Sequence, residues 1–297
     1  MRQELGPTSS LKSVLNIDWA CDIIAITKNP NKRIDLVNLC SIAVSIGMNK
    51  YTINNVFERN FPYPIWKIEV DCMNNQLAIE CRDPDSTLPI FYVLDFKGNI
   101  LLEQFQSESR EWTLEDIQGD YLILKRFGEY SPIQAGIQVI HIPTKSTVFT
   151  YMEYVIKEVF NKVIQAYHRS IPSGLFFYID IVTGEVSNTP YFETSFPVRD
   201  IRYPIPFQGT VPSFLNQISF IDQIWLQPYK DLFLWSYHTQ TANQYDLSLT
   251  LSSRNELFDT KVIIEEMDKL IPQPYFTVKD HIFFLSSNKM KISSYLV

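Results

Sequence analysis

Glu111-Trp-Thr-Leu-Glu-Asp-Ile117, Tyr121-Leu-Ile-Leu-Lys-Arg126, Gly136-Ile-Gln-Val-Ile-His-Ile142 and Thr147-Val-Phe-Thr150 are four short β-prone runs in close succession. Gly119-Asp120 separates the first two, a loop the next, and Pro143-Thr-Lys-Ser146 the last two. The runs are β-prone and the breaks between them are tight, as expected for a small antiparallel sheet. A similar unit recurs along the chain, and this recurrence decides the fold.

Working outward, the preceding unit is Ile65-Trp-Lys-Ile-Glu-Val70, an Asn74-Asn75 turn, Leu77-Ala-Ile-Glu-Cys81, Phe91-Tyr-Val-Leu-Asp95, a Lys97-Gly98-Asn99 turn and Ile100-Leu-Leu-Glu-Gln104. An earlier, less clearly broken unit spans Val14 to Ile46 and comes after a loose start, Met1 to Ser10. After the central stretch come Val155 onward, Lys162-Val-Ile-Gln-Ala-Tyr167, Leu175-Phe-Phe-Tyr-Ile-Asp180, a Thr183-Gly184 turn and Val186. Tyr151 to His168 also reads as a helix, because Tyr154, Val155, Val159, Val163 and Ile164 fall partly at helical spacing. Residues 187–210 carry four prolines and read as a long connection or a degenerate unit. A well-marked unit runs from Gln223 to Ile263, and a short one from Pro274 to Leu296.

The strands after the first turn begin near Ile24, Leu77, Leu122, Val163, Leu232 and Ile282. Apart from the gap across the proline-rich segment, that spacing is roughly forty to fifty residues, the period of propeller blades. The expected fold is an all-β propeller of six or seven small antiparallel blades over residues 11–297, behind a flexible 1–10. A large β-sandwich is the alternative. Composition agrees: aromatics make up 14 %, with 20 Phe and 16 Tyr, and such residues favour strands.

A formal net charge of −7 and the lack of a polybasic run argue against nucleic acid as a partner. Met1 to Leu15 lacks the apolar core of a signal peptide, and no apolar run approaches the eighteen or so residues of a membrane span. A monomeric cytoplasmic protein is expected, without membrane association. Cys21, Cys40, Cys72 and Cys81 form no CxxC pair and no zinc-ligand spacing. They read as free thiols, with a Cys72–Cys81 bridge open as the alternative. No metal or cofactor is expected. Phosphate loops and nucleophile or zincin motifs are absent.

Val93-Leu-Asp95-Phe-Lys-Gly98-Asn99 and Ile179-Asp180-Ile-Val-Thr-Gly184-Glu185 resemble the last hairpins of β-propeller blades, where an aspartate commonly precedes a glycine turn. The Gly-His…Trp-Asp signature and the tryptophan docking repeat of the best-known propellers are missing. Ser131-Pro-Ile-Gln-Ala-Gly136-Ile-Gln-Val-Ile140 and Ile271-Pro-Gln-Pro-Tyr-Phe276…Ile282-Phe-Phe-Leu285 look similar to an uncharacterised propeller-like family of Bacteroidetes. That resemblance implies a fold and carries over no functional residue.

Lys28, Arg82, Arg126, His168 with Arg169, and His238 each come a few residues after an aligned strand start. Equivalent strand ends share one face of a propeller, so these groups are candidates for a cationic ring that binds an anion, a glycan carboxylate or an acidic peptide. Glu80, Asp83 and Asp85 lie near the same strand end and are the candidate carboxylates for a hydrolase. Tyr130, Tyr167 and Tyr237 are candidate sugar-stacking rings. The expected function is a non-enzymatic platform for a protein or an anionic or glycan ligand; the alternative is a centrally sited glycoside or lactone hydrolase.

Overall fold

The computed structural model describes residues 51–127, 135–171, 174–189 and 195–297. They belong to one compact unit running from Asn49 to Val297. The expected first unit, Val14 to Ile46, the loose Met1 to Ser10, Lys28, Cys21, Cys40, Tyr130 and the Ser131–Gln134 part of the family resemblance lie outside the described residues.

In chain order the strands are β1 (Asn54–Asn60), β2 (Ile65–Asp71), β3 (Gln76–Arg82), β4 (Pro89–Asp95), β5 (Ile100–Gln106), β6 (Trp112–Gln118), β7 (Tyr121–Arg126), β8 (Ile137–His141) and β9 (Ser146–Tyr151). Next come β10 (Tyr154–Phe160), β11 (Val163–His168), β12 (Phe177–Asp180), β13 (Val186–Ser187), β14 (Ile201–Arg202), β15 (Ile205–Pro206) and β16 (Phe220–Tyr229). The last are β17 (Leu232–Thr241), β18 (Gln244–Ser252), β19 (Leu257–Met267), β20 (Phe276–Val278), β21 (His281–Leu285) and β22 (Lys291–Leu296).

They form five small antiparallel sheets. The first is β2-β3-β4-β5, the second β6-β7-β8-β9, the third β10-β11-β12-β13, the fourth β15-β16-β17-β18-β19, and the fifth β1-β22-β21-β20-β14. The five units expected within the described residues are therefore all present, each as its own sheet. Tyr151 ends β9, and Tyr154 to His168 is the hairpin β10–β11, which closes the helical alternative. Among its described residues, the proline-rich segment forms no sheet of its own. Its two short strands join the fifth and fourth sheets as edge strands, where a missing proline N–H costs nothing.

Period-two alternation explains the packing. In β3, Leu77, Ile79 and Cys81 point one way and meet Val278, Phe283 and Ile292 of the fifth sheet. Ala78 points the other way and, with Phe91, Val93 and Leu102, meets Trp112, Leu114 and Leu124 of the second sheet. Ile123, Ile137 and Val139 of the second sheet pack on Ile164, Ala166 and Ile179 of the third. Leu234, Leu247 and Leu249 of the fourth pack on Ile282 and Phe284 of the fifth. The face-to-face order is thus fourth, fifth, first, second, third, and the middle three bury both faces. A sandwich would have two layers; this is a propeller-like run of blades. The fourth sheet's other face is covered by Phe207, Val211, Phe214 and Leu215, which pack on Trp235 and Tyr237.

The fifth sheet is completed by β1, the strand that precedes the first sheet, paired antiparallel with β22. This clasp ties the two ends of the described chain into one sheet. Gly98 locks it from the side. Its φ is +86°, and a Cβ there would come within 2.5 Å of the Phe57 ring on β1, so both backbone and space require glycine.

The aspartates that carry the propeller resemblance cap their turns. Asp95 Oδ1 accepts the N–H groups of Lys97 (2.9 Å) and Asn99 (2.8 Å). Asp180 Oδ1 accepts those of Val182 (2.9 Å) and Thr183 (2.8 Å). Cys72 and Cys81 are both free and buried, so the alternative bridge is not formed. Burial, reinforced by neighbouring Glu80, pushes the Cys81 thiol up to about 12. Among the described residues no helix is long and apolar enough to cross a membrane.

Candidate binding cleft and the polar network beside it

Arg82, Arg126 and His168 are the last residues of β3, β7 and β11, at equivalent strand ends as expected. Their side chains are not a ring of free donors. Arg82 is held inside the protein by four hydrogen bonds and an ion pair. Nε donates to Glu80 Oε1 at 2.7 Å, and one Nη donates to the carbonyls of Thr87 (3.0 Å) and Arg110 (2.9 Å). The other Nη meets the Trp112 carbonyl (2.9 Å) and Glu80 Oε1 (2.7 Å). Glu80 is fully buried, and its Oε2 accepts from Thr113 Oγ1 (2.7 Å) and Leu114 N (2.8 Å). The pair is therefore a brace from the first sheet to the second.

Arg126 is ion-paired with Glu111. His168 Nδ1 accepts the Ser170 N–H at 3.2 Å, which places the ring proton on Nε2. Arg169 is exposed. Its backbone N–H donates to the Glu153 carbonyl at 2.8 Å. His238 lies inside β17 and is 1 % exposed. Its Nε2 accepts the Ile271 N–H at 3.3 Å, and its Nδ1 is buried without a partner. Asp83 caps its loop through Ser86 Oγ (2.7 Å) and Asp85 N (3.0 Å). Glu80 and Asp83 are thus committed to structure and make no hydrolytic pair. Tyr237 is buried and shares a hydrogen bond with Thr250, while Tyr167 is half-buried; the expected stacking role fails at Tyr237.

His238 gives a pH prediction. Burial holds its imidazole below the ordinary value of 6.5, with Asp222 opposing. The unfolded chain binds a proton near 6.5 while the folded one stays neutral, so stability is full above that value and falls as pH drops below it. Urea midpoints measured on either side of that value should fall on the acid side. His238→Gln should flatten the fall, and an unchanged slope would contradict the assignment.

Trp66 is the exposed residue that the sequence hid. In simple alternation it shares a face with Ile68 and Val70. A β-bulge between Ile65 and Lys67 leaves it unpaired against β3 and turns it outward; it is 66 % exposed. Phe127, just after β7, is 36 % exposed. The Arg82 guanidinium lies 5.5 Å from the Trp66 ring centroid and 5.1 Å from that of Phe127. With its N–H groups spent, Arg82 offers these rings its charge and flat surface. Trp66, Phe127, Arg82, Pro64, Pro84 and Lys289 line a cleft of about 590 Å³. A second hollow, of about 550 Å³, shares Trp66 and Lys289 with it.

Bulges recur on the other first strands. One between Leu114 and Asp116 leaves Glu115 unpaired on β6, and one between Ile156 and Glu158 does the same for Lys157 on β10. Both residues line a polar chamber of about 450 Å³. Glu115 takes Lys125 at 2.7 Å and Lys67 at 3.7 Å, and Lys67 also meets Glu69 at 3.0 Å. Arg199 closes the network on Glu69 (3.5 Å) and Asp116 (2.9 Å). It sits on the connecting segment, which is anchored where Ser195 O accepts from Asn161 N (2.8 Å) and Cys72 Sγ from Asp200 N (3.3 Å). Burial raises the Asp116 carboxyl, and Arg199 opposes it. Three cations balance three carboxylates, so the network cannot concentrate an anion. Among the described residues, no cluster of three or more His, Cys, Asp or Glu is placed to hold a metal.

No family model matches the chain, and no curated protein does. The expected Bacteroidetes family is therefore unsupported. Among solved structures, an oligogalacturonate lyase in complex with manganese aligns with TM-score 0.31 and 8 % identity, over 82 % of this chain and 92 % of that one. The uncharacterized protein lmo1340 from Listeria monocytogenes EGD-e aligns with TM-score 0.29 and 11 % identity, over 76 % of each chain. At these scores neither likeness bears on what this chain does.

Proposed function

We propose that the chain is a non-enzymatic interaction platform and that the Trp66–Phe127 cleft is where a protein partner docks. One observation carries the reading. A tryptophan that could have been buried by alternation is held in solvent by a bulge, beside a second exposed ring and an immobilised guanidinium. Tryptophan and arginine dominate interface hot spots, and a large exposed ring is costly unless something covers it. Arg82 is fixed by four hydrogen bonds and an ion pair, so little side-chain freedom is lost on docking.

The test is site-specific photo-crosslinking in the native cell. A photoreactive residue at position 127 should capture a discrete partner, and the same probe at exposed Met73, on the β2–β3 turn, should not. Trp66→Ala should reduce the capture at least about tenfold, the loss of one hot spot, with an unchanged thermal melt. Capture that is equal at both positions, or indifferent to Trp66→Ala, refutes the reading.

A further inference from the structure

The hollow of about 550 Å³ beside the Trp66–Phe127 cleft is lined by β2 of the first sheet, by β20 and β21 of the fifth, and by the connection from β19 to β20. That connection is Lys269-Leu-Ile-Pro-Gln-Pro274. Its two prolines fix their own φ. The Ile271 N–H donates to His238 Nε2 at 3.3 Å, and Gln273 Nε2 donates to the Tyr275 carbonyl at 3.2 Å. This wall is built before any ligand arrives, so little ordering opposes binding. A ladder of rings adjoins it. Phe276 stacks with buried Phe283 at 5.2 Å, and Tyr203 lies 6.5 Å from Phe276. Tyr203 is 57 % exposed and, like Trp66, lines the hollow with much of its ring in solvent. A preformed apolar hollow of this size, edged by open rings, suits a small organic ligand.

The charges lining the hollow have one sign. Lys67, Lys269 and Lys289 line it, and no carboxylate does. The Lys67 ammonium is spent on Glu69, Glu115 and the Leu114 carbonyl. Lys269 and Lys289 are exposed, and neither ammonium has an ion-pair partner among the described residues. Two uncompensated positive charges therefore stand beside apolar and aromatic surface. A cation would meet like charge there, and an uncharged body would use neither lysine. We propose that the hollow binds an aromatic carboxylate, its flat rings against Tyr203, Phe276 and Trp66 and its charge on Lys269 and Lys289. The site is separate from partner docking, because Tyr203 and Lys269 do not line the Trp66–Phe127 cleft.

Titration calorimetry at low ionic strength tests it with naphthoate and naphthamide, the same rings with and without the charge. Naphthoate should bind at least about fivefold tighter, the worth of one favourable exposed charge pair. Added salt should shrink that preference. Lys269→Gln together with Lys289→Gln should abolish it, and the thermal melt should not move, because both side chains are exposed. Tyr203→Ala should weaken acid and amide alike. It leaves the Trp66–Phe127 cleft intact, so ligand binding can fail in this variant while partner capture persists. No binding of naphthoate, equal binding of acid and amide, a preference that survives the double substitution, or indifference of both ligands to Tyr203→Ala would overturn the assignment.

Discussion

Arg82→Met is expected to lower the unfolding free energy by about 3–5 kcal/mol, the cost of removing one partner from a buried ion pair. The substitution strands Glu80, which has no exposed surface, with a carboxylate oxygen that has lost both its donors. The carbonyls of Thr87, Arg110 and Trp112 lose a donor at the same time. The loss also falls between two sheets, because Arg82 belongs to β3 and Trp112, whose carbonyl it holds, belongs to β6. Replacing both partners, as Glu80→Leu with Arg82→Met, should recover part of the loss, since no charge is then left buried alone. Urea unfolding monitored by circular dichroism measures both variants against the unaltered protein. A loss below about 1 kcal/mol for Arg82→Met would fit an exposed ion pair, and would return Arg82 to the role of a free anion donor.

Phe283→Ala should cost a comparable 3–5 kcal/mol or so, the usual range for emptying a buried phenylalanine site. The ring is wholly buried between the fifth and first sheets. It meets Phe96 at 5.4 Å, edge to face, and stacks with Phe276 at 5.2 Å. Large aromatics on both sides cannot collapse into the space it leaves. Trp66→Ala is the contrast: a ring of similar bulk in solvent should change stability by no more than about 0.5 kcal/mol. Equal losses from the two variants would mean that Phe283 is not between sheets or that Trp66 is not free.

The sheets were legible because β3, β7 and β21 are short apolar runs bounded by turn residues, Asn74-Asn75, Gly119-Asp120 and Lys279-Asp280. Asn75 and Gly119 do adopt positive φ, and the aspartate before a glycine turn proved to be a cap. Strand β1 was not legible. Asn-Asn-Val-Phe-Glu-Arg-Asn is an outer edge with no buried residue, so it has no need for alternation. Its partner is more than two hundred residues away, and no local propensity encodes that pairing. Bulges hid the cleft for a related reason. An extra residue in a strand leaves composition and propensity unchanged but shifts side chains to the opposite face, so nothing in the run 65–70 marks Trp66 as exposed. Arg82 does end its strand, whereas His238 lies inside β17, and position alone does not show which polar atoms are already engaged. That depends on Glu80, Trp112 and Ile271, which only the fold brings near.

From Asn54 to Leu296 the chain is a run of small sheets whose last member is closed by the strand preceding the first. Asn60 and Lys291 are directly opposed across β1 and β22. Opposed residues in an antiparallel pair have Cα atoms about 4.5–5.5 Å apart, within the reach of a disulfide. Cysteines at these two positions should form a bridge under mild oxidation, detected by peptide mapping, and the bridge should raise the thermal midpoint. Two thiols that stay free and react with a labelling reagent would contradict the clasp and, with it, the fold described above.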